Sequence, residues 1–341
     1  MGHIWGHLGH SSAKMKNIVV LAYDNCLTSS VVGLMDVFEI GNNFWKYHTG
    51  SQESCFDIKL ATADGETIRS FNHLPITPLI SFKQIEQADY VVIPPVMSHI
   101  ENALEENTKI FSLLQRLHKQ GSVLVSVCTG VFFLGEANLL NGRTVTTNPL
   151  MAEMFQQRFP HTNINADQVL IDDADIITTG PTYAFIDLVI YLIEKHCGFD
   201  VALQCSKLLL HDKNRTSLAP YRMSAVHKVH ADQDIKQIQA WMQENCTKAL
   251  TVDSIADLFH MSPRNLIRRF RSATGETPLV YLQRLRVELA KKKLEATMMN
   301  IDQITYGVGY SDTKSFGRLF KRHTSLSPAE YRKRFGARIV Q

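Results

Sequence analysis

The sequence lacks the features of membrane, exported and disulfide-stabilised proteins. Among its 341 residues there is no uninterrupted apolar run of about 18, which argues against a membrane-spanning helix. Residues 1–13 contain no apolar core followed by a small-residue cleavage site, so we expect no export signal. Six cysteines are scattered without the CxxC spacing of zinc ribbons, a pattern that also argues against a disulfide scaffold. We therefore expect a cytoplasmic protein with no membrane partner, no metal and no cofactor.

The composition is ordinary, but the charge is unevenly distributed. Apolar residues make up 45% and charged residues 20%, which excludes a disordered or collagen-like chain, and the length favours two domains. Residues 231–341 carry 19 Lys and Arg against 11 Asp and Glu, whereas residues 1–230 carry 17 against 22. A basic third joined to a mildly acidic remainder indicates a nucleic-acid-binding module fused to a domain that does not bind phosphate. A solvated basic surface is the alternative.

Short apolar runs alternate with helical patterns through the first part of the chain. The predicted strands are Asn17–Tyr23, Phe56–Ala61, Tyr90–Ile93, Ser122–Val127 and the weaker Asp175–Thr178. The predicted helices are Ser29–Phe44, Ile100–Lys119, Val131–Leu140, Leu150–Phe159 and Tyr183–His196. This alternation predicts an α/β fold with a doubly wound, mostly parallel sheet, which binds ligands at the carboxyl ends of its strands.

One strand ends abruptly in a turn that holds a cysteine. The segment SVCTG, residues 126–130, passes from the fourth strand into a helix and presents Cys128 at the turn. This is the strand–turn–helix context of a nucleophile elbow. From the spacing alone, a buried structural cysteine fits as well as a reactive one.

Residues 17–197 resemble the class I glutamine amidotransferase-like superfamily, the PfpI-type intracellular proteases and their relatives. The resemblance runs through the cysteine turn, the NGRTVTTNPL segment after it and the TTGPTYAFIDLVIYLIE helix. It implies a flavodoxin-like fold. In catalytic relatives the cysteine works with a histidine, an acidic residue on the first helix and backbone N–H groups from a Gly-Gly loop.

Three positions depart from that catalytic pattern. Asn148 stands at the place of the histidine, and an amide neither accepts the thiol proton nor stabilises a thiolate. Ser29 stands near the place of the acidic residue, and Pro95 with Val96 replaces Gly-Gly. Because proline has no N–H, an oxyanion hole there loses a donor worth roughly 10²–10³ in rate. We therefore predict that hydrolysis is lost and that this site binds a small-molecule effector. The expected ligand-binding residues are Cys128, Thr129, Asn148 and Ser29.

Two other functions remain open for this domain. A cysteine hydrolase or amidase requires a base beside Cys128, and the candidates are His73, His99 and His161. A redox sensor acting through Cys128 would show DNA binding that depends on oxidants. We rank it below ligand sensing, because no cationic neighbour of the thiol is evident in the sequence.

The last third of the chain contains the same helical unit twice. Ser262 and Pro263 give a strong helix start, and Arg264, Arg268 and Arg271 recur on one face of the helix that follows. Ser311 or Asp312 starts a similar basic helix. The connecting helix, 278–296, should be roughly 28 Å long, close to the roughly 34 Å between successive major-groove faces. Two helix-turn-helix motifs on one side of DNA are predicted, with a plain helical bundle as the alternative.

This region, 240–335, resembles the AraC/XylS-type DNA-binding domain. The motifs are SPRNLIRRFRSATGETPLVYLQRLR and GVGYSDTKSFGRLFKRHTSLSPAEYR. The DNA contacts that the resemblance implies are Arg264, Asn265, Ile267, Arg268, Thr313, Lys314, Gly317 and Arg318. Ile267 and Gly317 lack side-chain hydrogen-bond donors, so we expect contact with a thymine methyl group or close backbone approach there.

The order of the two domains is similar to that of GlxA-like AraC-family regulators. The resemblance implies a transcription regulator that acts as an activator. The partners that it implies are double-stranded DNA, RNA polymerase and a small nitrogenous metabolite. We expect it to form a homodimer through the first domain. The predicted organisation is a flexible leader at 1–14, a sensing domain at 15–210, a linker at 211–234 and an all-α DNA-binding domain at 235–341.

Overall fold

The computed structural model describes residues 15–97, 99–212, 217–221 and 230–336. They form two compact units, the first ending at Leu218 and the second beginning at Ala219. The predicted leader lies outside the described residues, as do residues 213–216 and 222–229 of the predicted linker. The domain boundaries named above therefore stay a prediction.

A seven-stranded sheet forms the centre of the first unit. Its strands, in chain order, are β1 (Lys16–Leu21), β2 (Phe56–Thr62), β5 (Ile80–Ser81), β6 (Tyr90–Ile93), β7 (Val123–Val127), β10 (Leu170–Asp173) and β11 (Ile176–Thr179). They are arranged in the order β10-β11-β7-β6-β1-β2-β5. Two small sheets pair β3 (Ile68–Arg69) with β4 (Pro75–Ile76), and β8 (Thr144–Val145) with β9 (Asn163–Ile164).

The sheet confirms the predicted doubly wound fold. All pairings in the large sheet are parallel except that of β10 with β11. All four residues of β6, and residues 18–21 of β1, are buried, as continuous apolar runs should be in a strand covered on both faces. The five predicted strands are present. The structure adds the two edge strands, β5 and β10, and the sequence of β10, LIDD, offers no apolar run.

Helices cover the sheet. In the first unit they are α1 (Thr28–Thr49), α2 (Ile100–Glu106), α3 (Lys109–Lys119), α4 (Val131–Glu136), α5 (Ala152–Arg158), α6 (Phe185–Cys197) and α7 (Phe199–Leu208). The single helix predicted over 100–119 was wrong, because the chain leaves the helix at Asn107 and Thr108. The Asn107 amide bonds the carbonyl of Ala103, a local bond that competes with helical continuation.

The second unit contains seven described helices. They are α8 (Gln233–Asn245), α9 (Val252–Leu258), α10 (Pro263–Thr274), α11 (Pro278–Ala296), α12 (Ile301–Gly307), α13 (Thr313–Thr324) and α14 (Pro328–Phe335). The residue before each helix accepts a backbone N–H with its side chain, which fixes where that helix begins. The predicted start at Ser262 is confirmed, Ser327 caps α14, and Asp312, not Ser311, caps α13.

The second unit has two apolar cores joined by one helix. Leu266 and Phe270 of α10 lie in the first core, and Phe316 and Phe320 of α13 lie in the second. The connecting helix α11 contributes to both, and its Leu289 packs against each. The unit therefore consists of two halves held on a shared helix: α8–α10 with the start of α11, and the end of α11 with α12–α14.

Candidate functional site

The cysteine turn has the geometry that the sequence predicts. Cys128 follows β7 directly and adopts a φ of 56°, a left-handed conformation that is rare outside glycine and asparagine. Gly130 lies so close to β6 that a Cβ there would be 2.5 Å from the carbonyl oxygen of Ile93. The turn is thus held tightly at the carboxyl edge of the sheet, where ligands of such folds bind.

The thiol of Cys128 is buried among neutral polar groups. The hydroxyl of Thr182 donates to Sγ at 3.9 Å, and the backbone of Thr129 and the side chain of Asn148 also lie within hydrogen-bonding reach of the sulfur. The residue is 1% exposed. Burial raises the pKa of this thiol above its usual range, and the hydrogen bonds only partly offset that effect. The sulfur is therefore a protonated thiol at neutral pH.

Tyr23, which interacts electrostatically with this thiol, and Cys26 beside it are also neutral. The Tyr23 hydroxyl donates to the carbonyl of Pro94, and burial raises the pKa of Tyr23 well above its usual range, with Cys26 and Cys128 adding to the effect. Burial likewise raises the pKa of the Cys26 thiol to about 11. Neither group supplies a charge that would stabilise a thiolate.

The structure does not place the candidate bases among the groups that contact Cys128. His73, His99 and His161 are all exposed. Among the described residues, the groups that shift the pKa of Cys128 are backbone, threonine and asparagine groups, with no histidine. The structure does bring Asn148 to the sulfur, as expected for the residue at the histidine's place.

The loop after β6 has its hydrogen bonds already made. Pro95 has no N–H, and its carbonyl accepts the N–H of Leu27 at 3.0 Å. The Val96 N–H donates to the Thr129 hydroxyl at 3.0 Å, and that hydroxyl donates to the Val96 carbonyl at 2.9 Å. The Val96 N–H, which could have faced an oxyanion, is therefore occupied. Thr129 holds the loop through its two hydrogen bonds to Val96. Its role in binding a ligand stays a prediction.

The structure adds two residues to the predicted site. Ser29 lies half-buried in the first turn of α1, and its neighbour Ser30 is fully buried with its hydroxyl 3.4 Å from the carbonyl oxygen of Thr182. Sequence reasoning missed Ser30 and Thr182. The signal for Thr182 was available, because it follows β11, and β11 pairs in parallel with β7.

Two clefts of the described surface lie elsewhere. One of about 660 Å³ runs between α1 and β2, and its lining includes Asp36, Glu39 and Phe56. The other, of about 450 Å³, is lined mainly by residues before α8 and along α10. Neither lining includes Cys128 or Asn148. Neither cleft therefore supports the predicted effector site beside Cys128, and the support for that site comes from the polar side chains around the sulfur.

The second unit presents two helix-turn-helix motifs, α9–α10 and α12–α13. We call α10 and α13 the recognition helices. Each buries aromatic residues on one side and leaves basic residues on the other, with Arg264 and Arg268 exposed on α10, and Lys314 and Arg318 exposed on α13. One face of each recognition helix therefore packs in the core, and the opposite, basic face is exposed to solvent.

The remaining predicted DNA contacts lie on the same two helices. Ile267 is 38% exposed. Asn265 accepts a hydrogen bond from Arg268 at 2.9 Å, and Thr313 donates to Asp302 at 2.8 Å. A Cβ at Gly317 would meet nothing within 4 Å. Ile267 is exposed and the other three residues are half-buried, and the contact of all four with DNA stays a prediction.

Comparison with known proteins places both units in established families. Residues 16–195 match the DJ-1/PfpI family, and residues 255–334 match a helix-turn-helix domain. The chain is 29% identical over 225 residues to the HTH-type transcriptional regulator GlxA of Rhizobium meliloti, covering 66% of this chain and 69% of that protein. It is 23% identical over 323 residues to the HTH-type transcriptional regulator GbdR of Pseudomonas aeruginosa, covering 93% of this chain and 84% of that protein.

The fold of the first unit also matches a solved structure. A ThiJ/PfpI family protein from Pseudomonas syringae superposes with a TM-score of 0.52 at 16% identity, covering 62% of this chain and 82% of the other. Among the described residues, none of the helices combines the length and the apolar character that a membrane span requires.

The DJ-1/PfpI match at residues 16–195 covers more than half of the chain, and the helix-turn-helix match follows it. The chain therefore belongs to the DJ-1/PfpI family and joins that domain to an AraC-type helix-turn-helix domain.

Proposed function

We propose that the protein is a sequence-specific transcription regulator, acting as an activator, whose DJ-1/PfpI domain senses a small molecule. The observation that carries this proposal is the repeated unit of a capped helix with an aromatic core face and an exposed arginine face. Its relatives GlxA and GbdR are named HTH-type transcriptional regulators. As a reader of chromosomal DNA, it would act in the cytoplasm.

The two recognition helices suit direct reading of bases. Arg268 and Arg318 present guanidinium groups that can bind guanine through two hydrogen bonds, and Asn265 offers an amide suited to adenine. The predicted contacts Arg264, Ile267, Thr313, Lys314 and Gly317 belong to the same proposal. With α11 between them, the helices would enter neighbouring major-groove segments on one side of the duplex.

The DJ-1/PfpI domain is proposed to bind and not to hydrolyse. Three observations support this: Asn148 beside the sulfur cannot act as a base, the thiol is protonated, and the Val96 N–H is occupied. The same observations weigh against a cysteine hydrolase. They also weigh against a redox sensor acting through Cys128, because oxidation proceeds through the thiolate.

The groups beside Cys128 indicate the chemistry of the effector. Asn148 and Thr182 offer amide and hydroxyl groups that both donate and accept hydrogen bonds, and the predicted ligand residue Ser29 would add a third such group. A small nitrogenous metabolite that presents N–H groups fits such a neutral site. A thermal-shift screen of the full chain against amino acids and amines tests this, and Asn148→Ala should abolish any shift found.

We further propose that the protein is a homodimer formed through the DJ-1/PfpI domain and that it recruits RNA polymerase. Each chain would then read one half-site made of two segments. Effector binding would change the geometry of the dimer and so its affinity for paired half-sites. Sedimentation of the full chain with and without DNA tests the dimer, and transcription in a purified system distinguishes an activator from a repressor.

Selection of duplexes from a random pool tests the DNA-binding function directly. We expect enrichment of a site with two base-specific segments about one helical turn apart, roughly 10 base pairs. Replacing Arg268 by alanine should relax the preference in one segment, and replacing Arg318 should relax it in the other. Binding that shows no enrichment and falls uniformly with salt would overturn the proposal.

A further inference from the structure

Arg286 is a buried charged residue at the seam between the two halves of the second unit. It lies on α11 and is 9% exposed. Its Nε donates to the carbonyl oxygen of Cys246 at 2.8 Å, and its Nη2 donates to the carbonyl oxygen of Lys248 at 2.7 Å. Both carbonyls belong to the segment between α8 and α9, in the first half.

The same guanidinium group contacts the second half. Its central carbon lies 5.0 Å from the centre of the Tyr310 ring, close enough for a cation–π contact. Tyr310 follows Gly309 in the turn between α12 and α13. A Cβ at Gly309 would be 2.6 Å from the Thr247 carbonyl oxygen and 3.1 Å from Arg286 Nη2, and its φ of 89° also favours glycine.

These contacts connect the two halves at a second place, in addition to the backbone of α11. Carbonyls just after a helix have no partner within that helix, and a guanidinium group satisfies two of them with charge-assisted bonds. The planar group fixes the direction of both bonds while its face lies against the tyrosine. A lysine at this position would present a point charge and could not reproduce that geometry.

We propose that Arg286 is a positioning residue that fixes the separation and orientation of the two recognition helices. It thereby sets the spacing between the two DNA segments that one chain reads. This inference rests on the proposed DNA-binding function, because spacing has meaning only if both helices read DNA. Without Arg286, α11 still joins the halves and Gly309 still lies against Thr247, but the hydrogen bonds and the cation–π contact that link the loop before α9 to the turn before α13 are lost.

Arg284 provides a matched control on the same helix. Its Nη2 bonds Glu276 at 2.7 Å, and its guanidinium carbon lies 4.9 Å from the centre of the Tyr281 ring. It therefore combines a hydrogen bond with an aromatic contact, as Arg286 does. Both of its partners belong to the first half, so its loss leaves the seam intact.

The experiment compares Arg286→Met, Arg286→Lys and Arg284→Met as full-length chains. The probe is the duplex that the unsubstituted chain selects from a random pool, together with versions carrying one or two extra base pairs between the segments. A duplex with only one intact segment completes the set. Fluorescence anisotropy gives the dissociation constants, and circular dichroism compares helix content.

For the unsubstituted chain we expect one extra base pair to weaken binding at least about tenfold, since it rotates the second segment by about one-tenth of a turn. Arg286→Met should reduce this penalty to less than about threefold, while the one-segment duplex binds within about twofold of the unsubstituted chain. Arg284→Met should keep the full penalty. A general loss of stability would weaken binding to every duplex and leave the penalty unchanged.

Two results would overturn the inference alone: an unchanged spacing penalty in the Arg286 variants, or an equal reduction in the Arg284 variant. If Arg286→Met loses helix content, Arg286→Lys decides the question, because it keeps the charge but not the planar group. If the unsubstituted chain selects no site with two segments, the proposed function fails first and the inference fails with it.

Discussion

Gly317 lies in the middle of α13, and a methyl group there should affect folding and DNA binding in opposite directions. It is the fifth residue of a twelve-residue helix, and a Cβ at this position would meet nothing within 4 Å. Glycine in a helix interior costs about 0.5–1 kcal/mol relative to alanine, because its unfolded chain has more conformational freedom. Gly317→Ala should therefore stabilise α13 by about that amount.

The same substitution should weaken DNA binding. Gly317 lies between the predicted contacts Lys314 and Arg318 on the recognition helix, and the absence of a side chain there permits close approach of the duplex. A methyl group would then overlap with DNA or move the helix outward. We expect a cost similar to that of one mismatched base pair, about 1–3 kcal/mol, or roughly five- to hundredfold in affinity.

Two measurements on the full chain separate these effects. Amide hydrogen exchange should slow in α13, and anisotropy with the selected duplex should show weaker binding. Gly307→Ala is the matched control, since Gly307 also lies in a helix with open space around its Cβ position but outside the recognition helices. Slower exchange with unchanged affinity would refute close approach of DNA at Gly317, and faster exchange would refute the stability argument.

Replacing Arg268 or Arg318 by alanine should weaken binding to the selected duplex by about 1–3 kcal/mol, and an equal loss on random DNA would identify the residue as a phosphate contact instead. Asn148→His should yield no hydrolysis of amides or esters, because the nearby Val96 N–H remains occupied; turnover above that of the unsubstituted chain would contradict this. Hydrogen bonding to Arg269 lowers the pKa of Asp232, so the folded state favours the ionised carboxylate, which stabilises the fold above about pH 4 and loses that effect as the pH falls. Asp232→Asn should therefore reduce resistance to urea at about pH 7 but not below about pH 3, and an equal reduction at both would show that the charge is not responsible.

The central strands could be predicted because their environment is uniform. A parallel strand covered on both faces favours a continuous apolar run, which β1 and β6 provide and which only Ser126 interrupts in β7. The edge strand β10 could not be recognised in the same way. Its Asp172 and Asp173 face a partly exposed edge, and its pairing with β11 depends on a tight turn between them.

The helix starts of the second unit were equally accessible to sequence reasoning. A capping side chain bonds a backbone N–H two or three residues away, so the signal lies within one short segment. The seam at Arg286 shows the opposite case. Its partners lie about 40 residues earlier and about 24 later in the chain, and no local pattern reports such a contact.

The candidate site could be predicted from the sequence only in part, less fully than the helix starts but more fully than the contacts of Arg286. The pairing of Cys128 with Asn148 followed from a family pattern, and the place of Thr182 follows from the parallel pairing of β7 with β11. The bond between Thr129 and Val96 followed from neither. It depends on the rotamer of one hydroxyl group across 33 residues of sequence, although it decides whether the loop has a free N–H.

The strained turn itself supports the proposed binding function of the DJ-1/PfpI domain. A left-handed residue other than glycine costs of order 1–3 kcal/mol and persists only where its surroundings enforce it. At Cys128 that enforcement comes from the Thr147 hydroxyl on its carbonyl at 2.8 Å, from Thr129 on the neighbouring loop, and from Gly130 against β6. None of these contacts activates the sulfur. They preserve the shape of the edge where a ligand of this fold would bind, so the strain of the turn supports the proposed role of this site in binding.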